Sequence, residues 1–149
     1  MTLRDAPSRE RLLPWMYFLR GHALIMRELS EELLHHHGLS INDYEVLLYL
    51  SNAPEHRLRR VDLASSVLVT ASGITRILQS LERDGYVESR TCPNDGRVSW
   101  ACLTESGLAK VRAARETHLD GVRRLFLDRF SDDELATLGE LLLRLPAED

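Results

Sequence analysis

Residues Val61 to Leu103 carry the strongest signal for the fold and read VDLASSVLVTASGITRILQSLERDGYVESRTCPNDGRVSWACL. Its first part predicts a short amphipathic helix over residues 61–67, followed by the tight connector Leu68-Val69. Thr70 is an N-cap candidate for a second helix that extends to Arg83. Two helices joined by so short a connection are typical of a helix-turn-helix.

A β-hairpin is predicted directly after the second helix. Asp84-Gly85 ends that helix, and residues 86–91 and 98–103 alternate and carry β-forming side chains. The segment Pro93-Asn94-Asp95-Gly96 between the two runs has strong turn chemistry. A helix-turn-helix followed by a hairpin predicts a winged helix-turn-helix, a layout that places its second helix in the major groove of DNA.

The second helix has two chemically different faces. Its apolar face predicts burial and consists of Ile74, Ile77, Leu78 and Leu81. The other face is small and polar and consists of Ser72, Gly73, Thr75, Arg76, Gln79 and Arg83. A helix in the major groove needs small side chains for close approach and then groups that bond base edges, where Arg suits guanine and Gln suits adenine. An ordinary solvated face is the alternative interpretation, and the adjoining hairpin favours DNA reading.

Long helices are predicted on both sides of this stretch. Residues 9–37 carry apolar side chains at three- and four-residue steps, and residues 40–52 form a second helix whose Ser40 and Asp43 resemble a capping box. Residues 105–129 and 131–145 predict two more helices. The predicted fold class is therefore mainly α with one small β-hairpin, a single domain over 1–149 with its winged lobe at 57–103.

The flanking helices predict a homodimer. The amphipathic segments 9–37 and 105–145 offer more apolar surface than one small winged lobe can cover. We therefore expect them to serve as dimerisation helices.

Charge and composition permit a nucleic-acid partner without requiring one. Residues 57–97 hold seven arginines and five acidic residues, a net charge of +2, whereas the whole chain of 149 residues carries −4. No stretch approaches the ~18 apolar residues of a membrane span, and the N-terminal residues lack the apolar core of a signal peptide. We expect a cytoplasmic protein with no membrane partner and no disulfide framework.

Enzymatic and metal-binding roles find no support in the sequence. It lacks a Gly-x-Ser-x-Gly elbow, a phosphate loop, a zinc-protease motif and an evident nucleophile–base pair. The run His35-His36-His37 invites a metal hypothesis, but adjacent helical positions point about 100° apart, so the three side chains cannot chelate one ion unaided. We predict no catalytic residue, no metal site and no cofactor.

Several motifs in this order resemble the MarR family of bacterial regulators. They are Val61-Asp62-Leu63-Ala64, Ser72 to Leu78, Leu81 to Val87, Arg90, Cys92 to Arg97, and Leu103-Thr104-Glu105-Ser106-Gly107. The resemblance covers nearly the whole chain, including the flanking helices. It implies a winged helix-turn-helix transcriptional regulator whose end helices interleave in a two-fold dimer.

The resemblance also implies how DNA is bound. A repressor would present its two reading helices about 34 Å apart to a palindromic operator. Arg97 would lie at the wing tip and enter a minor groove, with Asp95 orienting it. The predicted DNA-binding residues are Ser72, Thr75, Arg76, Gln79, Arg83, Arg90, Asp95 and Arg97. Arg59, Arg60, Arg83 and Arg90 are weaker phosphate candidates than the rest, and an Asp95–Arg97 pair that only tightens the hairpin is the alternative interpretation.

A small aromatic or phenolic effector is a further implication of the resemblance. The predicted pocket residues are Trp15, Met16, Leu19, His22, Met26, Tyr44 and Leu48. Ordinary core packing is the alternative interpretation of these side chains.

Two alternative functions remain open at this point. One is a winged-helix module that binds protein and not DNA, for which apolar side chains on the exposed helix face would be expected. The other is a redox-responsive regulator that uses Cys92 beside Arg90. Redox sensors of the resembled family use a cysteine in the first helix, and this chain has none there.

Overall fold

The computed structural model describes residues 6–67, 70–92 and 94–146, except for the side chains of Ala71 and Cys92. The elements in chain order are α1 (Arg9–His37), α2 (Ile41–Asn52), β1 (Arg57–Arg59), α3 (Arg60–Ser66), α4 (Ala71–Arg83), β2 (Val87–Cys92), β3 (Asp95–Leu103), α5 (Glu105–Leu125) and α6 (Asp132–Leu142). Single 3-10 turns lie at Pro54–His56 and Leu127–Arg129. The prediction of a mainly helical winged fold is confirmed. The connector Leu68-Val69 lies outside the described residues.

Local capping chemistry starts several helices where the sequence predicted. At α2, Ser40 and Asp43 form a full capping box: the Asp43 N–H donates to Ser40 Oγ (3.1 Å) and the Ser40 N–H donates to Asp43 Oδ2 (2.9 Å). The same reciprocal pair joins Ser131 and Glu134 at α6. Each box satisfies two main-chain donors that the first helical turn leaves unpaired.

A three-stranded antiparallel sheet in the order β1-β3-β2 replaces the single hairpin of the prediction. The hairpin itself is confirmed, with Val87 opposite Leu103 and Cys92 opposite Asp95. The added strand β1 has only three residues, too few for a periodic signal, and it forms because β3 supplies its partners. Strand β3 also begins at Asp95, three residues before the predicted segment 98–103, because pairing with β2 extends the ladder to the turn.

Helix α5 ends at Leu125, four residues before the predicted end at residue 129. Phe126 has φ −130° and ψ −63°, which is not helical, and a 3-10 turn follows it. The Arg129 Nε–H donates to the Leu125 carbonyl at 2.9 Å and so satisfies a carbonyl that the end of the helix leaves free. This cap joins two residues only four positions apart.

The chain packs as two compact units. Of the described residues, those up to Leu29 and those from Asp120 onward form one unit, and those from Ser30 to Leu119 form the other. The core of the second unit draws on several of its elements, with fully buried Leu47, Leu63 and Leu78 from α2, α3 and α4. The division into dimerisation helices and a reading lobe stays a prediction, because packing alone defines these units. No helix among the described residues is long and apolar enough to cross a membrane.

Candidate nucleic-acid interface

Thr70 caps the N-terminus of α4. Thr70 Oγ1 accepts a hydrogen bond from the Gly73 N–H at 3.1 Å and lies 3.2 Å from Ser72 Oγ. A Thr N-cap satisfies one orphan donor of the first turn while the positive end of the helix dipole remains at the surface. The first turn of α4 can therefore approach an anion closely.

The two faces of α4 separate as the sequence predicted. Ile74, Leu78 and Leu81 are at most 3% exposed and join the core, whereas the opposite side chains reach solvent. The exposed polar residues of α4 are Ser72, Arg76, Gln79 and Arg83. Thr75 is half-buried beside them. These five residues form the reading face of α4.

Arg60 is a neighbour of the reading face that sequence reasoning ranked low. Its Nη2 donates to Thr75 Oγ1 at 3.2 Å and so connects the first residue of α3 to the middle of α4. Arg60 and Thr75 are fifteen residues apart and lie on different helices, so helical periodicity could not predict their contact. The hydrogen bond places a guanidinium group at the edge of the reading face.

The turn of the wing (β2 and β3 with their connection) is braced through its backbone. Asp95 Oδ1 accepts a hydrogen bond from the main-chain N–H of Arg97 at 3.0 Å, and the Arg97 side chain is exposed. The family resemblance implied that Asp95 orients Arg97. The contact that the structure contains acts on the Arg97 backbone and leaves its guanidinium group in solvent.

The other arginines of the lobe differ in how far their charge is compensated. Arg90 is bound to Glu88 at 2.5 Å, and this hydrogen bond together with the carboxylate charge raises the pKa of Arg90. Arg59 donates two hydrogen bonds to Asp62, which likewise raise its pKa. Among the described residues, Arg76, Arg83 and Arg97 form no ion pair. These three keep their full charge for a partner.

A side-chain contact joins α4 to the wing. Ser89 Oγ on β2 donates to the Glu82 carboxylate on the last turn of α4. Thr104, just after β3, adds a second brace: its Oγ1 donates to the Gly85 carbonyl at 2.7 Å and accepts from the Gly107 N–H at 3.0 Å. These hydrogen bonds therefore fix the position of the wing relative to the reading face.

Comparison with known proteins identifies the relatives of this arrangement. A family model described as MarR family matches residues 37–98. The HTH-type transcriptional repressor YetL of Bacillus subtilis is 32% identical over 124 residues, which cover 80% of this chain and 74% of that protein. The crystal structure of AbsC, a MarR family transcriptional regulator from Streptomyces coelicolor, is 30% identical with a TM-score of 0.86, and 93% of each chain is covered.

This chain belongs to the MarR family of transcriptional regulators.

A second MarR relative from Streptomyces coelicolor, Sco3205, was crystallised in complex with DNA. It is 30% identical with a TM-score of 0.85, and the match covers 93% of this chain and 88% of that one. Because these relatives are transcriptional regulators, the prediction of a regulator and not an enzyme is confirmed. The individual DNA-binding and effector residues remain predictions.

Five of the residues predicted for an effector pocket lie on the part of α1 that belongs to the first unit of this MarR protein. Trp15, Met16 and Leu19 are 55%, 45% and 44% exposed. His22 and Met26 line a groove of about 560 Å³, the end-helix groove. Its other contributors include four aromatic side chains, Tyr17, Phe18, Phe126 and Phe130. His22 and Met26 therefore share an apolar, aromatic surrounding.

The remaining two predicted pocket residues belong to the second unit. Tyr44 is 2% exposed, and its ring centroid lies 4.8 Å from that of His118 on α5. Burial raises the pKa of Tyr44, and the charge of Arg115 acts in the opposite direction. Leu48 is half-buried against the core. Tyr44 is thus a core residue of the second unit, and its part in an effector pocket stays a prediction.

The two cysteines and the histidine run of this MarR protein bear on redox and metal sensing. The side chain of Cys92 lies outside the described residues, so its redox role is untested. Cys102 is buried, which raises the pKa of its thiol. His37 Nε2 lies 2.7 Å from Thr117 Oγ1, a contact that gives one member of the histidine run a structural partner. Within the described ranges, potential metal ligands nowhere gather in a group of three.

Proposed function

We propose that this protein is a homodimeric repressor that binds a palindromic DNA operator and releases it when a small aromatic or phenolic effector binds. The observation that carries the proposal is the set of uncompensated guanidinium groups on Arg76, Arg83 and Arg97, spread over α4 and the wing. The Ser89–Glu82 hydrogen bond holds these two elements together. DNA binding by the relative Sco3205 supports the same reading.

The proposed division of labour follows from groove chemistry. Arg76 and Gln79 have the side chains that bond guanine and adenine edges in the major groove. Ser72, which is small, and Thr75 face the DNA beside them. Arg97 extends from the wing toward a minor groove, where a narrow groove has a more negative potential. Arg83 and Arg90 contact phosphates, although the pairing of Arg90 with Glu88 reduces the charge it can offer. Asp95 keeps the backbone at Arg97 in place.

The dimer part of the proposal depends on the apolar surface of the first unit. Trp15, Tyr17 and Phe18 on α1 are exposed, as are Leu141 in the last turn of α6 and Leu143 directly after it. Several large apolar side chains exposed on one compact unit indicate an interface in a soluble protein. A second copy would cover it and close the end-helix groove, so an effector beside His22 and Met26 would act on the packing of the two copies.

The decisive experiment measures binding of the full chain to the DNA that flanks its own gene. We expect a specific shift at one palindromic site, with the logarithm of the affinity falling steeply as the logarithm of the salt concentration rises. Addition of phenols from a small panel should release the DNA. If the protein bound no duplex DNA at low ionic strength, the proposal would be wrong. If it bound DNA in a salt-sensitive way but no phenol released the DNA, only the effector part of the proposal would be wrong.

A further inference from the structure

A small cavity in the second unit contains two arginines that lie outside α4 and the wing, the elements proposed to contact DNA. It has a volume of about 200 Å³ and lies between the end of α2, the 3-10 turn at Pro54–His56 and the first half of α5. The lining residues that matter here are His56, Asn52, Arg112, Arg115, Leu108 and Val111. None of the described residues that line it is acidic, and we refer to it as the cationic cavity.

Two arginines supply the positive charge of the cationic cavity. Arg112 and Arg115 are exposed, stand three positions apart on α5, and form no ion pair within the part of the chain that the structure describes. Like charges at this spacing repel each other on a helix. The acidic residue next to His56 along the chain is Glu55, and it is bound to Arg57 at 2.5 Å. The charge at the cavity is therefore available to a ligand.

The backbone on the opposite wall is strained. Glu55 and His56 have φ of 55° and 53°, the left-handed region that residues other than glycine rarely adopt. Such conformations cost free energy and occur preferentially where a side chain must be held at a ligand site. Asn52, at the end of α2, adds an amide that can donate beside the imidazole. Hydrogen-bond donors thus reach the cavity from both walls.

We propose that the cationic cavity binds a small anion that carries a carboxylate or a phosphate group. Guanidinium groups bind both groups through paired, charge-assisted hydrogen bonds, and Leu108 and Val111 provide apolar contact for a short carbon chain. The described lining contains no ring other than the His56 imidazole, so a compact aliphatic anion fits better than a phenol. The proposal goes beyond the proposed function, and its binding test needs no DNA.

Thermal unfolding of the full chain measures this binding directly. The protein is titrated with sodium phosphate and with sodium acetate, and sodium chloride at equal ionic strength is the reference. A ligand that binds only the folded state raises Tm along a saturation curve. General salt effects raise Tm without saturating. We expect a saturable rise with phosphate or with acetate, and the two titrations identify the anion group that the cavity prefers.

Two variants test the location of the site. In Arg112→Gln/Arg115→Gln, the dissociation constant of the anion should rise by about tenfold or more, because charge-assisted hydrogen bonds are lost. Arg123→Gln removes a charge from the same helix, where Arg123 is paired with Asp120 at 3.2 Å, and should behave like the parent protein. If circular dichroism shows that the double variant does not fold, Arg112→Gln alone and His56→Asn replace it.

Three results would overturn the proposal. The parent protein could show no saturable rise in Tm, or all variants could show the same rise. Alternatively, the arginine variants could lose DNA affinity in the absence of any added anion, which would assign these residues to phosphate contacts with DNA. Loss of DNA binding in the parent protein, with a saturable anion effect intact, would overturn the proposed function and leave this site standing.

Discussion

A Cβ atom on Gly107 would lie 2.1 Å from the main-chain carbonyl oxygen of Tyr86. That carbonyl accepts a hydrogen bond from the Thr104 N–H at 3.0 Å, so it cannot turn away without losing a partner. Gly107 thus allows the first turn of α5 to pack directly on the segment that links α4 to the wing. The close approach therefore joins the segment around Thr104 and Gly107 to the segment around Gly85 and Tyr86.

Gly107→Ala should therefore destabilise the protein by about 2–3 kcal/mol or more, because the overlap is with backbone and not with a flexible side chain. Urea unfolding followed by circular dichroism measures the difference. The matched control is Gly139→Ala in α6, where an added Cβ meets nothing within 4 Å. There the better helix propensity of alanine should stabilise the helix by about 0.5–1 kcal/mol. Equal effects at the two positions would contradict the interpretation.

Arg97→Ala should weaken operator binding on every sequence to a similar degree. The side chain is exposed at the wing and uncompensated, so its loss removes one cation from the DNA contact and should reduce the salt slope by about 1. Fluorescence anisotropy over a salt series measures both quantities. Arg123→Ala, which removes a paired arginine of α5, is the control. An unchanged salt slope for Arg97→Ala would remove the wing from the proposed interface.

Arg76→Ala and Gln79→Ala should change which sequence is preferred as well as how tightly it is bound. A good contact to a base edge discriminates by about 1–3 kcal/mol, and its loss makes the variant tolerant at one operator position in each half-site. Binding to a set of single-base operator variants tests this. If the double variant Arg76→Ala/Arg97→Ala kept full affinity for the promoter region of its own gene, the assignment of the reading face would be wrong.

Phe18→Asp should prevent the proposed dimer from forming. Phe18 is 44% exposed in the first unit, and a charge there would have to be buried without a partner when a second copy covers the surface. Light scattering after gel filtration gives the mass directly. Val61→Asp introduces the same charge at an apolar residue of α3 that is 70% exposed and should leave the mass unchanged. A monomeric parent protein would refute the dimer model itself.

Acidification should destabilise the second unit through His118. Burial lowers the pKa of His118, and its Nδ1 is a buried atom without a hydrogen-bond partner in the described structure. Because the unfolded chain then binds a proton more readily than the folded one, stability falls as the pH drops through the ordinary value near 6.5 toward the lowered pKa. Comparison of Tm at pH 8 and pH 5.5 should show a smaller loss for His118→Asn than for the parent protein. The exposed His35→Asn serves as the control, and an equal loss in both variants would remove His118 from the explanation.

Features that depend on neighbours along the chain could be predicted from the amino-acid sequence. Helix caps such as Ser40 with Asp43, the apolar face of α4 and the turn before Arg97 all follow from spacings of two to four residues. Physical preferences at that range act before any tertiary contact forms. For this reason the winged fold and its polar reading face could be predicted without coordinates.

Contacts between residues far apart in the sequence became evident only from the folded structure. Strand β1 exists because β3 offers it a partner, Arg60 reaches Thr75 across fifteen positions, and Arg112 shares a cavity with His56 although neither has a sequence signal of its own. Contacts of this kind depend on the relative placement of packed elements, which the whole core sets cooperatively. Local periodicity carries no information about that placement, and the charge distribution that decides binding is therefore a property of the folded chain.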